Sequence, residues 1–133
     1  MPHPEMIRQM LEYSTPAVQT PEGCWTAEYR LPLSFLGFKG HFTEYPVLPA
    51  MLQLAMVRLI IESAIGEPCS LDIRSAKFSA PVHPDAVLAV QVTRGDPIWK
   101  AKITVRQADS DSFETAAVLS VHPKKLESAR HEA

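Results

Sequence analysis

The sequence predicts an α+β fold in which a curved antiparallel sheet wraps around one long central helix. The first observation is a stretch that is apolar at almost every position, residues 51–65, as in a helix buried on nearly all sides. The second is a series of four later segments in which apolar and polar residues alternate, separated by short turns. Consecutive strands joined by short turns favour antiparallel pairing, so we expect one sheet to pack on the helix.

Three segments precede the central helix. Residues 4–13 place Met6 and Met10 four positions apart, and this spacing predicts a short amphipathic helix. Residues 24–33 carry apolar side chains at alternate positions, which predicts a strand. Residues 35–49 are apolar without a period and contain two glycines and two prolines, so they predict an ordered loop packed against the helix.

Local signals define both ends of the central helix. Pro49 stands where the first turn of a helix tolerates proline, so the helix is expected to begin there or at the next residue. Gly66 and Pro68 end the apolar pattern. Arg58 and Glu62 lie four residues apart, which predicts an ion pair on one face of the helix.

The strands predicted after the helix cover residues 69–78, 86–94, 98–107 and 113–121. The third is the clearest, because Trp99, Ala101 and Ile103 alternate with polar residues, so one face is expected to be buried. A length of 133 residues suits one domain. We therefore assign residues 1–123 to a single domain and the polar residues 124–133 to a C-terminal tail.

The composition argues against several classes of protein. A formal net charge of −2 and a pI near 6.2 are unlike a nucleic-acid-binding domain, which is usually strongly basic. No apolar run has the length of a membrane span, and the N-terminal residues lack the apolar segment of a signal peptide. We therefore expect a cytoplasmic protein that binds neither nucleic acid nor membrane.

The cysteines and histidines give no support for a metal site. Cys24 and Cys69 are too few for a disulfide framework, so we expect two reduced thiols, with a single bridge between them as the alternative. The five histidines are dispersed along the chain. Neither a metal ion nor another cofactor is therefore expected.

Two motifs carry the functional information. Residues 40–52 read GHFTEYPVLPAML, and residues 77–85 read KFSAPVHPD. The first resembles the active-site motif of the hotdog-fold (3R)-hydroxyacyl-carrier-protein dehydratases, a Gly-His-Phe-Pro loop followed by Pro-apolar-apolar-Pro-Gly at the start of a long helix. The second resembles that family's Lys-Phe-x-x-Pro-Val-x-Pro-Gly-Asp segment. Gln53-Leu54 is more similar to the branch linked to aryl-polyene-type pathways.

The resemblance implies a hotdog fold and roles for particular residues. Removing water from a 3-hydroxyacyl thioester requires a base for the proton beside the carbonyl and a donor that stabilises charge on the carbonyl oxygen. By resemblance His41 is the base, an imidazole suited to neutral pH. The backbone N–H of Ala50, at the helix N-terminus, is the carbonyl donor. Phe42, Leu54 and Ala55 would line the acyl site. Without the motif, we would interpret His41 as a loop histidine that hydrogen-bonds to the backbone.

The sequence departs from the family at several positions. Thr43 replaces the proline of the motif, and Ala50 replaces its glycine, which would strain the backbone if that residue needs a positive φ. The glycine before Asp85 is missing. The largest departure is Ala55, fourteen positions after His41, where the family has an acidic residue. Losing one general acid typically costs about 10²- to 10⁴-fold in rate.

No nearby side chain clearly replaces the missing acid. Gln53 is about 200° around the helix from Ala55, so it faces elsewhere. Glu62 shares the face of Ala55 but lies about 10 Å further along the helix. Glu44 is on the loop beside His41 and could turn towards it.

The sequence is compatible with three hypotheses about function. The first is a dehydratase or hydratase acting on acyl thioesters of acyl carrier protein or coenzyme A, with water or Glu44 as proton donor. The second, favoured by Ala55, is a degenerate hotdog that binds acyl chains or supports a catalytic paralogue. The third is a hotdog thioesterase.

The resemblance also implies a dimer, with a heterodimer or a higher even oligomer as alternatives. From charge alone, an acidic carrier protein is expected to meet some of the basic residues Lys39, Arg58, Arg74 and Lys77. His83 is expected to be a surface loop residue without a partner.

Overall fold

The computed structural model describes residues 2–38 and 46–126. Within these ranges the chain forms two α-helices, six strands and a short 3-10 helix at Leu36–Phe38. In chain order the elements are α1 (Pro4–Glu12), β1 (Val18–Gln19), β2 (Cys24–Arg30), α2 (Ala50–Ile65), β3 (Cys69–Phe78), β4 (Val87–Thr93), β5 (Trp99–Arg106) and β6 (Glu114–Lys125). The strands form one sheet of order β1-β2-β4-β5-β6-β3, and every neighbouring pair is antiparallel.

The helix α2 is the centre of the molecule because it is apolar at all but four of its sixteen positions. It packs against β2, β3 and β4, and five of its side chains are at most 1% exposed: Leu52, Met56, Val57, Ile60 and Ile61. Gly66 ends the helix in the left-handed conformation, with φ of 79°, and its N–H donates to the carbonyl of Glu62 at 2.8 Å. The predicted central helix and its C-terminal signal are confirmed.

The face of the sheet towards α2 carries the apolar half of each alternating strand. In β5, Trp99, Ala101, Ile103 and Val105 are buried, while the residues between them are half-buried or exposed. Each large apolar side chain removed from water in this way contributes roughly 1.5–3 kcal/mol. The predicted α+β architecture, a single antiparallel sheet on one long helix, is therefore confirmed.

The ten-residue strand β3 forms one edge of the sheet. It follows α2 in the chain but pairs with the last strand, β6, so its other side has no strand beside it among the described residues. Most of β3 is exposed, including Ile73 and Phe78, each 39% exposed. A long exposed edge is a surface that natural proteins protect, usually by pairing or covering it.

Several predicted boundaries differ from the structure. The predicted strand 24–33 ends at Arg30, and the two-residue strand β1 was not predicted, because two residues carry no detectable alternation. The predicted loop 35–49 contains the 3-10 helix. Strand β6 runs two residues past residue 123: Lys124 and Lys125 pair with Ser70 and Cys69. Both cysteines are free thiols.

Candidate active site

The two motifs contact each other beside the N-terminus of α2. The N–H of Leu48 donates to the carbonyl of Val82 at 2.8 Å. The ring Nδ1 of His83 lies 2.9 Å from the carbonyl oxygen of Pro46, which can only accept, so Nδ1 carries the hydrogen. Gln107 fastens the same segment, since its Oε1 accepts from the N–H of His83 at 3.3 Å. The prediction that His83 is a surface residue without a partner is therefore wrong: it is half-buried and joins the two motifs.

The N-terminus of α2 presents its first N–H group to the outside. Pro49 precedes the helix in an extended conformation, and no side chain of the described residues caps it. Ala50, the first helical residue, is exposed, and its N–H bonds to no described residue. Such amides at the positive end of a helix dipole attract negatively charged oxygen. Ala50 has no positive φ, so the expected strain of replacing the family's glycine is absent there.

The positive φ occurs instead at Asp85, with a value of 65°. Asp85 lies where the second motif lacks the family's glycine, and its N–H donates to the carbonyl of Leu31 at 2.8 Å. Aspartate is among the few residues that tolerate the left-handed region. The family's glycine indicates a turn at this point of the motif. Because this sequence lacks that glycine, the sequence alone does not show which residue adopts the positive φ.

An apolar groove of about 280 Å³ lies between α2 and β3. Two predicted substrate-binding residues, Leu54 and Ala55, form part of its wall. The complete lining consists of Pro2, Met51, Leu54, Ala55, Arg58, Ser70, Leu71 and Ile73. The helix places Met51, Leu54, Ala55 and Arg58 on one side because these positions follow the i, i+3, i+4, i+7 spacing of one helical face.

One end of this groove is polar. Arg58 donates to Glu62 at 3.0 Å, which confirms the predicted ion pair, and the two side chains are 15% and 20% exposed. The same oxygen of Glu62 accepts from the N–H of Cys69 at 2.9 Å, which ties α2 to the start of β3. Arg58 therefore lies in the groove wall and is mostly buried.

The groove contains no carboxylate among the described residues. Ala55, at the position of the family's acid, is 4% exposed. Glu62 is engaged by Arg58 and by the N–H of Cys69. Gln53 faces away from the groove, as predicted, but its burial was not foreseen: it is 3% exposed, and its Oε1 has no hydrogen-bond partner in the described part of the chain.

Two of the predicted site residues, His41 and Phe42, lie outside the described residues, as does the alternative proton donor Glu44. Their roles stay predictions. Among residues 2–38 and 46–126, no group of three or more histidine, cysteine, aspartate or glutamate residues is placed to hold a metal ion. In the same ranges, no helix has the length and hydropathy required to cross a membrane.

Solved structures show the fold class independently. The dehydratase heterocomplex ApeI:P from Xenorhabdus doucetiae matches with a TM-score of 0.69 at 19% identity, over 84% of this chain and 96% of that chain. An uncharacterized protein from Erwinia carotovora subsp. atroseptica matches with a TM-score of 0.64 at 22% identity, over 85% and 93%. The dehydratase domain of the polyketide PpsC from Mycobacterium tuberculosis matches with a TM-score of 0.70 at 18% identity, over 86% and 44%. The predicted hotdog fold is confirmed.

Sequence comparison identifies the family. No curated protein matches the chain in sequence. A family model described as "ApeI-like: ApeI dehydratase" matches residues 17–116, which is most of the chain and includes both motifs. The predicted resemblance to hotdog dehydratases of the aryl-polyene-like branch is thereby confirmed, and the chain belongs to the ApeI-like dehydratase family.

Proposed function

We propose that this chain binds 3-hydroxyacyl thioesters of acyl carrier protein or coenzyme A and interconverts them with the 2-enoyl thioesters. The observation that carries the proposal is the groove between α2 and β3, whose wall includes Leu54 and Ala55 and begins beside the N-terminus of α2. An apolar channel next to a helix N-terminus, where the Ala50 N–H bonds to no described residue, suits an acyl chain whose carbonyl must be polarised. Membership of a dehydratase family supports this chemistry.

In the dehydration direction, His41 removes the proton on the carbon next to the carbonyl. The electron pair of that C–H bond forms the new double bond as the C–O bond at carbon 3 breaks. The Ala50 N–H stabilises the negative charge that develops on the thioester oxygen. The hydroxyl leaves as water after it takes up one proton, so protons and electrons balance. The segment 46–48, held by Val82 and His83, would keep the loop that carries His41 in place.

The mechanism also needs a group that donates a proton to the leaving hydroxyl. Ala55 cannot supply a proton, and Glu62 is committed to Arg58 and Cys69. We assign the role of proton donor to Glu44, which follows His41 by three residues in the chain, or to a water molecule.

A second candidate function follows from Ala55. A hotdog chain whose groove lacks the acid could bind the acyl group while a catalytic paralogue performs the chemistry. One similar structure is itself a heterocomplex, ApeI:P. The edge strand β3 supports pairing in either case, because a second hotdog chain can add a strand there. We propose a homodimer or heterodimer formed along β3, acting in the cytoplasm.

Hydration of a crotonyl thioester, followed by the loss of its ultraviolet absorbance, tests these alternatives. We expect activity in the wild type and a loss of about 10²- to 10⁴-fold in His41→Ala, as for removal of a general base. His122→Ala is the matched control, since His122 lies on β6, contacts Arg74 at 3.4 Å and does not line the groove.

The variant Ala55→Glu distinguishes a catalytic enzyme from a non-catalytic supporting subunit. An inactive wild type together with an active Ala55→Glu variant would favour the supporting subunit. Activity in His41→Ala equal to the wild type would contradict the proposed base. Release of free thiol from a saturated acyl thioester would instead favour a thioesterase.

A further inference from the structure

The geometry points to a limit on acyl-chain length: we propose that the Arg58–Glu62 ion pair ends the apolar groove and restricts this chain to short acyl groups. The inference rests on the proposed function, since it assumes that an acyl chain occupies the groove. It concerns a specificity-determining pair that is separate from the proposed catalytic groups.

The groove has a direction. Along α2 its lining residues are Met51, Leu54, Ala55 and Arg58 in that order, and a rise of 1.5 Å per residue puts Arg58 about 10 Å beyond Met51. The strand β3 begins at Cys69 beside Glu62 and returns along the helix. An acyl chain that enters at the N-terminus of α2, where the carbonyl would be held, therefore reaches Arg58 last.

The polar end is held in place by two contacts. Glu62 accepts from the guanidinium of Arg58 at 3.0 Å and from the backbone N–H of Cys69 at 2.9 Å. Because the second donor belongs to the backbone of β3, the carboxylate cannot swing away without losing a hydrogen bond. Arg58 uses one of its five N–H donors on Glu62, and no other hydrogen bond of Arg58 occurs among the described residues.

This arrangement makes the two parts of the groove respond differently to an apolar chain. Each methylene buried against Met51, Leu54, Leu71 or Ile73 improves binding by about fourfold. A methylene that reaches the guanidinium displaces water from N–H groups and offers no acceptor in return. We therefore expect affinity to increase with chain length only until the chain meets Arg58.

The experiment measures dissociation constants for saturated acyl-coenzyme A thioesters with chains of about four to twelve carbons. In the wild type, affinity should rise about fourfold per methylene at first and then stop rising or fall. The double variant Arg58→Met/Glu62→Gln makes the end apolar and neutral without leaving one buried charge unpaired. In this double variant, affinity should keep rising to longer chains before it levels off. The longest thioester should bind at least about tenfold more tightly than in the wild type, while the affinity for the shortest is unchanged.

A matched control is available on α1. Arg8 and Glu12 have the same i,i+4 spacing and a contact of 2.9 Å, but their side chains are 56% and 52% exposed and neither lines the groove. Arg8→Met/Glu12→Gln should leave the whole affinity series at wild-type values. Circular dichroism verifies that both double variants are folded, and the wild-type series is informative without either of them.

Two results would overturn the inference while the proposed function stands. The first is a wild-type affinity that rises steadily up to the longest chain. The second is an affinity that stops rising at the same chain length in the wild type and in Arg58→Met/Glu62→Gln. Hydration of the crotonyl thioester, measured on the same samples, keeps the two proposals distinguishable. Failure to bind or hydrate any thioester would overturn both.

Discussion

Replacing Gln53 by methionine is expected to stabilise the protein. Gln53 lies at the end of the first turn of α2, is 3% exposed, and its Oε1 has no hydrogen-bond partner among the described residues. A carbonyl oxygen that exchanges water for an apolar surrounding loses its hydrogen bonds without compensation. Methionine has nearly the same length and shape and carries no group that needs a partner.

The expected gain follows from the cost of such a buried oxygen, about 1–3 kcal/mol. Part of that gain is offset by imperfect packing of the new side chain, so we expect the free energy of unfolding to rise by about 1–2 kcal/mol. For a chain of this size, 1 kcal/mol corresponds to roughly 3–6 °C in the melting temperature. Gln53→Ala should do the opposite, because it leaves a cavity in the core.

Urea denaturation of wild type, Gln53→Met and Gln9→Met provides the test. Gln9 is the matched control, because its Oε1 accepts from the N–H of Leu36 at 3.0 Å. Gln9→Met leaves that N–H unpaired and should lower the free energy of unfolding by about 1 kcal/mol. The reasoning is refuted if both methionine variants lose stability alike, since the Gln53 oxygen would then have a partner in solution. A more stable Gln53→Met with weaker thioester binding would instead show that the amide serves the site.

Four further predictions concern turns and thiols. Asp85→Val should lower the free energy of unfolding by about 1–2 kcal/mol because Asp85 has a φ of 65°, while Asp85→Gly should not; equal melting temperatures would contradict this. His83→Ala removes the donor to Pro46 and should cost about 1 kcal/mol in urea denaturation, an effect that an unchanged midpoint would rule out. Burial raises the pKa of the Cys69 thiol from 9.0 to about 11, whereas a hydrogen bond with Thr93 lowers the pKa of Cys24. A thiol reagent near pH 8 should therefore react at Cys24 first, and two equal rates would show that Cys69 is accessible. Because the raised pKa favours the neutral thiol of the folded state, its contribution is complete below pH 9 and is lost as the pH rises towards 11, so Cys69→Val should flatten that decline.

Much of the fold could be predicted because its signals are local. The position of α2 follows from an unbroken apolar stretch, and its C-terminus from Gly66, which adopts the left-handed conformation that glycine permits. The buried face of β5 follows from strict alternation. The resemblance to the dehydratase family implied that Leu54 and Ala55 line one site, and both lie in the wall of the groove.

The sequence by itself therefore determined the elements, the apolar faces and the family motifs, including the loss of the acid at Ala55. Only the tertiary structure decided what those faces meet. Pairing of β3 with β6 leaves β3 as an edge beside α2, and this creates the groove. The contact of His83 with Pro46, the burial of Gln53 and the place of Arg58 in the groove wall depend on segments that are distant in the chain. A periodic pattern reports which side of an element is apolar, but not which distant residue will lie against it, because that depends on long-range packing of the whole chain.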